Sequence, residues 1–273
     1  MDDWYQIDVE EALKAKAPGA YKFIPRFVIS YLKHIVHQDT TNAFIMRSKN
    51  DMGTHFADTI LNEFGCDVHI YGLENVPDSG RFVFASNHPM GGLDGMAFIH
   101  AVTKKFTDIK FPVNDILLYI RNFDGIFLPV NKTGVTGRNA AFLMEEAFKS
   151  DSQILMFPAG LCSRKGKNGV IADLEWKKGF VAKAVETERD IIPLYISGRN
   201  SNFFYNLSRF RRALGVKINL EMLYLVDEMY KQKGHSIDVY FGKPISRETI
   251  RDRRPIDVAQ EIRSIVYELA PKN

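Results

Sequence analysis

Cysteine is scarce in this 273-residue chain: Cys66 and Cys162 lie far apart and match no zinc or redox spacing. A disulfide framework is thereby excluded, and a reducing compartment is expected. An excess of one charge is missing too, since 36 Lys+Arg stand against 33 Asp+Glu for a net +3. That balance argues against a dedicated nucleic-acid binder with a basic stripe. No apolar run approaches the roughly 18–20 residues that cross a bilayer. The opening Met1-Asp2-Asp3 lacks the basic head and apolar run of a secretory signal. Internal repeats, low-complexity tracts and a Pro/Gly/Ser linker are absent as well. These absences point to a protein that is cytoplasmic, or peripheral to a membrane, but not integral.

What is present is a globular composition, 45% hydrophobic and 25% charged. Residues 1–66 read as a helical extension. From Ile24 the apolar positions Phe27, Val28, Tyr31, Leu32, Ile35 and Val36 follow helical spacing, with Lys22, Arg26 and Lys33 largely on the other side. That pattern suits either helices that simply cover a core or a membrane-facing element. A further helix from about Asp51 ends at Gly65. Residues 67–273 read as one α/β domain. Strand-like runs at 68–71, 81–86, 125–130, 153–157, 191–197, 217–225 and 236–241 alternate with amphipathic stretches, the last of them closed by Pro271. Such alternation predicts a mixed, largely parallel sheet flanked by helices.

Chemistry concentrates in Ser86-Asn87-His88-Pro89-Met90-Gly91-Gly92-Leu93-Asp94-Gly95. It follows an apolar strand and opens a helix, the place where α/β sheets put their sites. His88 trades a proton near neutral pH. Asp94 is placed to accept from one ring nitrogen and leave the other as a base. Gly91 and Gly92 permit the sharp backbone path between them. No Gly-x-Ser-x-Gly elbow supplies a serine nucleophile.

This stretch resembles the first motif of the glycerolipid acyltransferases of the lysophosphatidate type, Asn-His, four residues, then Asp. Three blocks follow in order: Gly125-Ile126-Phe127-Leu128-Pro129-Val130-Asn131, Phe157-Pro158-Ala159-Gly160-Leu161-Cys162-Ser163-Arg164, and Ile191-Ile192-Pro193-Leu194-Tyr195-Ile196-Ser197-Gly198. Phe241-Gly242-Lys243-Pro244-Ile245 matches the usual close, so the resemblance spans residues 80–246. It implies a glycerol-3-phosphate acyltransferase-like fold. The implied reaction is acyl transfer from a thioester of acyl carrier protein or coenzyme A to a hydroxyl, with no cofactor or metal. His88 would be the general base and Asp94 its orienting partner. Asn87, Gly91, Gly92, Asn131, Lys132, Gly160, Ser163, Arg164 and Arg199 would contribute to substrate binding.

The departures from that pattern bear on the acceptor. Five residues, not four, separate His88 from Asp94; Ala159 replaces a Glu; Cys162 and Asn131 replace arginines that hold phosphate. Losing such an anion clamp argues against a glycerol phosphate acceptor. The cations left nearby, Lys132, Arg164, Lys165, Lys167 and Arg199, suit a carboxylate. The pattern as a whole resembles a bacterial branch that O-acylates N-(3-hydroxyacyl) amino acids, giving glycine or ornithine lipids. A lyso-lipid acceptor with a free carboxylate, offered at the membrane surface, is therefore expected. The other readings are a 1-acylglycerol-3-phosphate acyltransferase and a non-catalytic lipid-binding protein of the same fold.

Remaining features point elsewhere. Gly160 to Lys167 lacks P-loop spacing. His34 and His37 have no third ligand for zinc. The basic run Ser208-Arg209-Phe210-Arg211-Arg212 fits anionic headgroups or an acidic carrier protein better than nucleic acid, and a plain solvated patch equally well.

Overall fold

The run Phe-Val-Phe-Ala-Ser shows no polar alternation, as expected of a strand covered on both faces. In the computed structural model, which describes residues 6–16, 18–130, 134–216 and 218–271, it is buried end to end. The described strands are β1 (Val68–Tyr71), β2 (Phe82–Ser86), β3 (Ile109–Val113), β4 (Phe127–Pro129), β5 (Gln153–Met156), β6 (Arg164–Lys165), β7 (Ile171–Ala172), β8 (Asp190–Ile196) and β9 (Ile237–Phe241). Seven of them form one sheet in the order β1-β9-β8-β2-β5-β3-β4. Every neighbouring pair is parallel except β8–β9. Strands β6 and β7 form a separate antiparallel hairpin.

Helices cover both faces. The N-terminal set is α1 (Val9–Lys16), α2 (Pro18–Tyr21), α3 (Arg26–Ile35), α4 (Gln38–Arg47) and α5 (His55–Glu63). Then come α6 (Leu93–Val102), α7 (Gly134–Lys149), α8 (Gly179–Glu186), α9 (Asn202–Ala213), α10 (Leu225–Lys231), α11 (Arg247–Ile250) and α12 (Pro255–Glu268). Side chains along β2 alternate between two cores, as a period of two requires. Phe82 and Phe84 join Phe56, Leu93 and Phe98 of α5 and α6 on one face. Val83 and Ala85 join Phe180, Ala184, Val258 and Ile262 of α8 and α12 on the other. Phe44 of α4 and Phe56 of α5 stack in the first core, Phe56 meeting Phe123 edge-on.

The strand expected over 217–225 does not form. Leu220–Tyr224 is a 3-10 turn that runs into α10, and Lys217 lies outside the described residues. The alternation of Ile218, Leu220, Met222 and Tyr224 is real, but the segment packs through its polar member. Glu221 is buried between Arg164 and Arg211, while Ile218, Leu220 and Leu223 face outward. Strand β3, by contrast, lies outside the expected runs; Pro112 sits inside it, and proline is confined to places where its missing N–H is not needed. Here β3 pairs with β5 only through Ile109 and Lys110, and Pro112 pairs with β4 alone.

Candidate active site

Strand β2 delivers the chain at the carboxyl end of the parallel strands, and a tight loop connects it to α6. His88 leaves that loop with its ring Nδ1 2.8 Å from Asp94 Oδ2. Asp94, on the first turn of α6, is 0% exposed. The loop wraps its carboxylate in backbone N–H groups. Met90 donates to Oδ2 at 2.8 Å, Gly92 and Gly95 donate to Oδ1 at 2.8 and 3.0 Å, and Gly91 reaches both oxygens at 3.1 Å. The fifth residue between His88 and Asp94 is thus absorbed in a nest around the carboxylate. Gly91 makes this possible: its φ is 88°, and a Cβ there would come within 2.9 Å of Leu225 Cδ2. Burial alone would push the Asp94 carboxyl up, but the His88 ring and the backbone donors outweigh it and hold the group below its ordinary value.

A carboxylate on Nδ1 keeps the proton there and leaves the Nε2 lone pair available. The ring lies flat on Phe157, centroids 3.9 Å apart and planes 15° from parallel. Its backbone is held separately. Ser163 N–H donates to the His88 carbonyl at 2.7 Å, and His88 N–H donates to the Asp173 carboxylate at 3.1 Å. The arrangement gives an oriented imidazole on a hydrogen-bonded loop, chemically able to take a proton from a hydroxyl brought to Nε2.

An acyltransferase family model matches residues 11–263. The chain belongs to that family. The lyso-glycine lipid O-acyltransferase of Phocaeicola vulgatus is 46% identical over 270 residues, covering 98% of this chain and 96% of its own. That of Bacteroides thetaiotaomicron is 44% identical over 270 residues, with 98% and 99% covered. A 1-acyl-sn-glycerol-3-phosphate acyltransferase of Borreliella burgdorferi is 25% identical over 166 residues, 58% of this chain and 62% of its own. The crystal structure of the 1-acyl-sn-glycerophosphate acyltransferase PlsC from Thermotoga maritima superposes with a TM-score of 0.52 at 19% identity, over 90% of both chains. The sheet and its flanking helices are therefore those of an acyltransferase, as the ordered motifs implied.

Other expected site residues of this acyltransferase divide into two groups. Several turn inward and hold the loop. Asn87 bridges to β8, donating to the Ile196 carbonyl at 2.8 Å and accepting from Ile196 N–H at 2.7 Å. The Ser163 hydroxyl donates to Asp173 at 2.6 Å. Arg164 is 5% exposed: it donates to the Cys162 carbonyl at 2.6 Å, pairs with Glu221 at 3.1 Å and lies over the Phe204 ring. Gly160 forms a turn with φ 71° beneath the tip of Lys177. A Cβ on Gly92 would meet Met229 Sδ at 2.6 Å. Arg199, in contrast, is exposed and bonded to Asn202 at 2.8 Å. Asn131 and Lys132 lie outside the described residues.

Cys162 is fully buried, and burial pushes its thiol up to about 11 despite the Arg164 charge beside it. A thiol so disposed is a poor nucleophile. Among the described residues no cluster of His, Cys, Asp and Glu could hold a metal ion, and no helix is long and apolar enough to cross a membrane. Asp173, Phe157 and Tyr267 escaped the sequence reading. Phe157 stood inside a quoted motif, but nothing in its spacing to His88 signals that the two rings stack.

Proposed function

We propose that this acyltransferase moves a fatty acyl group from an acyl thioester, on acyl carrier protein or coenzyme A, to the hydroxyl of a lyso-lipid. The acceptor is an N-(3-hydroxyacyl) amino acid of the glycine-lipid kind. His88 Nε2 takes the hydroxyl proton as the oxygen attacks the thioester carbonyl. Asp94 stabilises the imidazolium that results. The tetrahedral intermediate collapses with cleavage of the C–S bond, and the departing thiolate takes the proton back from His88. No acyl-enzyme forms, and neither a cofactor nor a metal takes part.

Support for the chemistry comes from one observation, the 2.8 Å contact between His88 Nδ1 and an Asp94 carboxylate held by backbone donors. The acceptor class is supported by the full-length similarity to two lyso-glycine lipid O-acyltransferases. It agrees with Arg164 being committed to Glu221 rather than free to clamp a phosphate. Delivery at a membrane surface is supported by the outward Phe23, Phe27 and Tyr31 of the N-terminal region.

The test is direct transfer with acyl carrier protein carrying a long-chain acyl group. Lyso-glycine lipid, lyso-ornithine lipid and lysophosphatidic acid are offered in parallel, and products are read by mass spectrometry. An ester on a lyso-aminolipid is expected, with the His88→Ala protein slower by about 10²–10⁴-fold, the usual contribution of a general base. Product from lysophosphatidic acid alone would replace this acceptor with the glycerol phosphate one.

A further inference from the structure

A second buried carboxylate reaches His88, and it grips the backbone rather than the ring. Asp173 is 5% exposed and lies 85 positions along the chain from His88. Its Oδ1 accepts from His88 N–H at 3.1 Å and from the Ser163 hydroxyl at 2.6 Å. Its Oδ2 accepts from the Trp176 ring N–H at 2.9 Å and, at 3.3 Å, from the same His88 N–H. Asp173 is in turn fixed by its own backbone: its N–H donates to the Tyr267 oxygen at 2.7 Å, and its carbonyl accepts from Arg263 at 2.7 Å. Ser163 closes the circuit by donating its N–H to the His88 carbonyl at 2.7 Å.

Two features set this apart from ordinary core satisfaction. Among the described residues no Lys or Arg side chain forms an ion pair with the Asp173 carboxylate, so its two buried oxygens depend on these neutral donors alone, and burial of such a group is costly unless each bond is well made. The donors also fall on both oxygens, and an ionised carboxylate accepts on both where an amide accepts on only one. The β6–β7 hairpin supplies the geometry: Ser163 immediately precedes β6, and Asp173 immediately follows β7. Folding the hairpin brings the two together around the peptide units of His88.

We infer that Asp173 is a positioning residue for acyl transfer. Asp94 and Phe157 set the direction of the imidazole, and Asp173, with Ser163, sets the place from which it projects. Nε2 therefore holds its distance to the acceptor hydroxyl. The inference rests on His88 being the general base.

Asp173→Asn tests it in a Trp4→Phe background, where Trp176 is the single tryptophan. The expected result is a kcat lower by about 10–100-fold with the acceptor KM nearly unchanged, the penalty of a misplaced rather than a missing group. Faster exchange of the His88 amide, read by NMR, and a shifted Trp176 emission should accompany it. Ser163→Ala, which removes one donor and leaves the backbone bond, should give a smaller fall in kcat and decides the matter if Asp173→Asn does not fold. Wild-type kcat in the folded variants, with His88→Ala inactive, overturns the role of Asp173 and leaves His88 as base. Undiminished transfer by His88→Ala overturns the base and the inference together.

Discussion

At the scale of single residues, protonation separates Asp94 from Cys162. The Asp94 carboxyl sits below its ordinary 3.8 when folded, so its ionised form stabilises the native state above about that pH. That contribution is lost as pH falls from there through the lowered folded value. Asp94→Asn should accordingly have a lower urea midpoint than the parent near pH 7, with the gap narrowing toward about pH 3. Cys162 moves the opposite way, pushed up to about 11, and remains a thiol at neutral pH. Cys162→Ala should keep transfer within a few-fold, and the parent should resist iodoacetamide at this position until unfolded, with peptide mass mapping as the readout. The His88–Asp94 pair was legible in the sequence because a strand, two glycines and six positions bring it together locally. Asp173 was not, because a hairpin brings it to His88 and nothing near it in sequence marks the partnership.

At the scale of elements, Glu221 joins three segments that the sequence kept apart. Its carboxylate takes Arg164 of β6 at 3.1 Å and Arg211 of α9 at 2.6 Å, from a 3-10 turn leading into α10. Burial alone would push Glu221 up, and the two guanidinium groups together with hydrogen bonding hold it below its ordinary value. Removing Glu221 from this buried set strands both guanidinium groups, at a cost of about 3–5 kcal/mol. Glu221→Ala should therefore be strongly destabilised in thermal or urea melts. Arg164→Met leaves the Arg211–Glu221 pair intact and should melt nearer the parent. If Arg164 holds the loop rather than the acceptor, this variant also keeps its acceptor KM. A large rise in KM with stability unchanged would return Arg164 to the acceptor. The same contacts explain the misread of 217–225, where alternation promised a strand and a buried ion pair determined the path instead. Strands in the apolar runs of β2, β5 and β8 were legible because burial on both faces leaves an unbroken apolar signature.

At the scale of the molecule, the proposed delivery at a membrane bears on the outward aromatics of the N-terminal region. Phe23 and Phe27 are 85% and 74% exposed, and Tyr31 continues their four-residue spacing. Tyr31 meets Tyr224, which meets Phe203 of α9, so the N-terminal face runs on into the 218–224 segment with its outward Ile218, Leu220 and Leu223. Phe210 of α9 and Leu214 just beyond its end also face outward. Exposed Lys22, Arg26, Arg209 and Arg212 belong to the same segments. A net charge of only +3 makes this local pairing of aromatics and cations matter more than any overall field. Each near-surface cation contributes about 1 kcal/mol toward an anionic leaflet, and a Phe moved out of water contributes about 1.5–3 kcal/mol. Two opposing tests separate the contributions. Phe23→Ser with Phe27→Ser should reduce sedimentation with phosphatidylglycerol vesicles at least about tenfold at any salt, because apolar transfer is not screened. Arg209→Ser with Arg212→Ser should weaken binding at low salt and matter little near 0.5 M, where the Debye length is about 4 Å. Neither pair touches the His88 loop, so transfer to a short-chain, water-soluble acceptor should be unchanged in both, while transfer to acceptor embedded in vesicles falls in step with binding. Equal loss on both acceptors would place these residues in the fold instead of at the membrane.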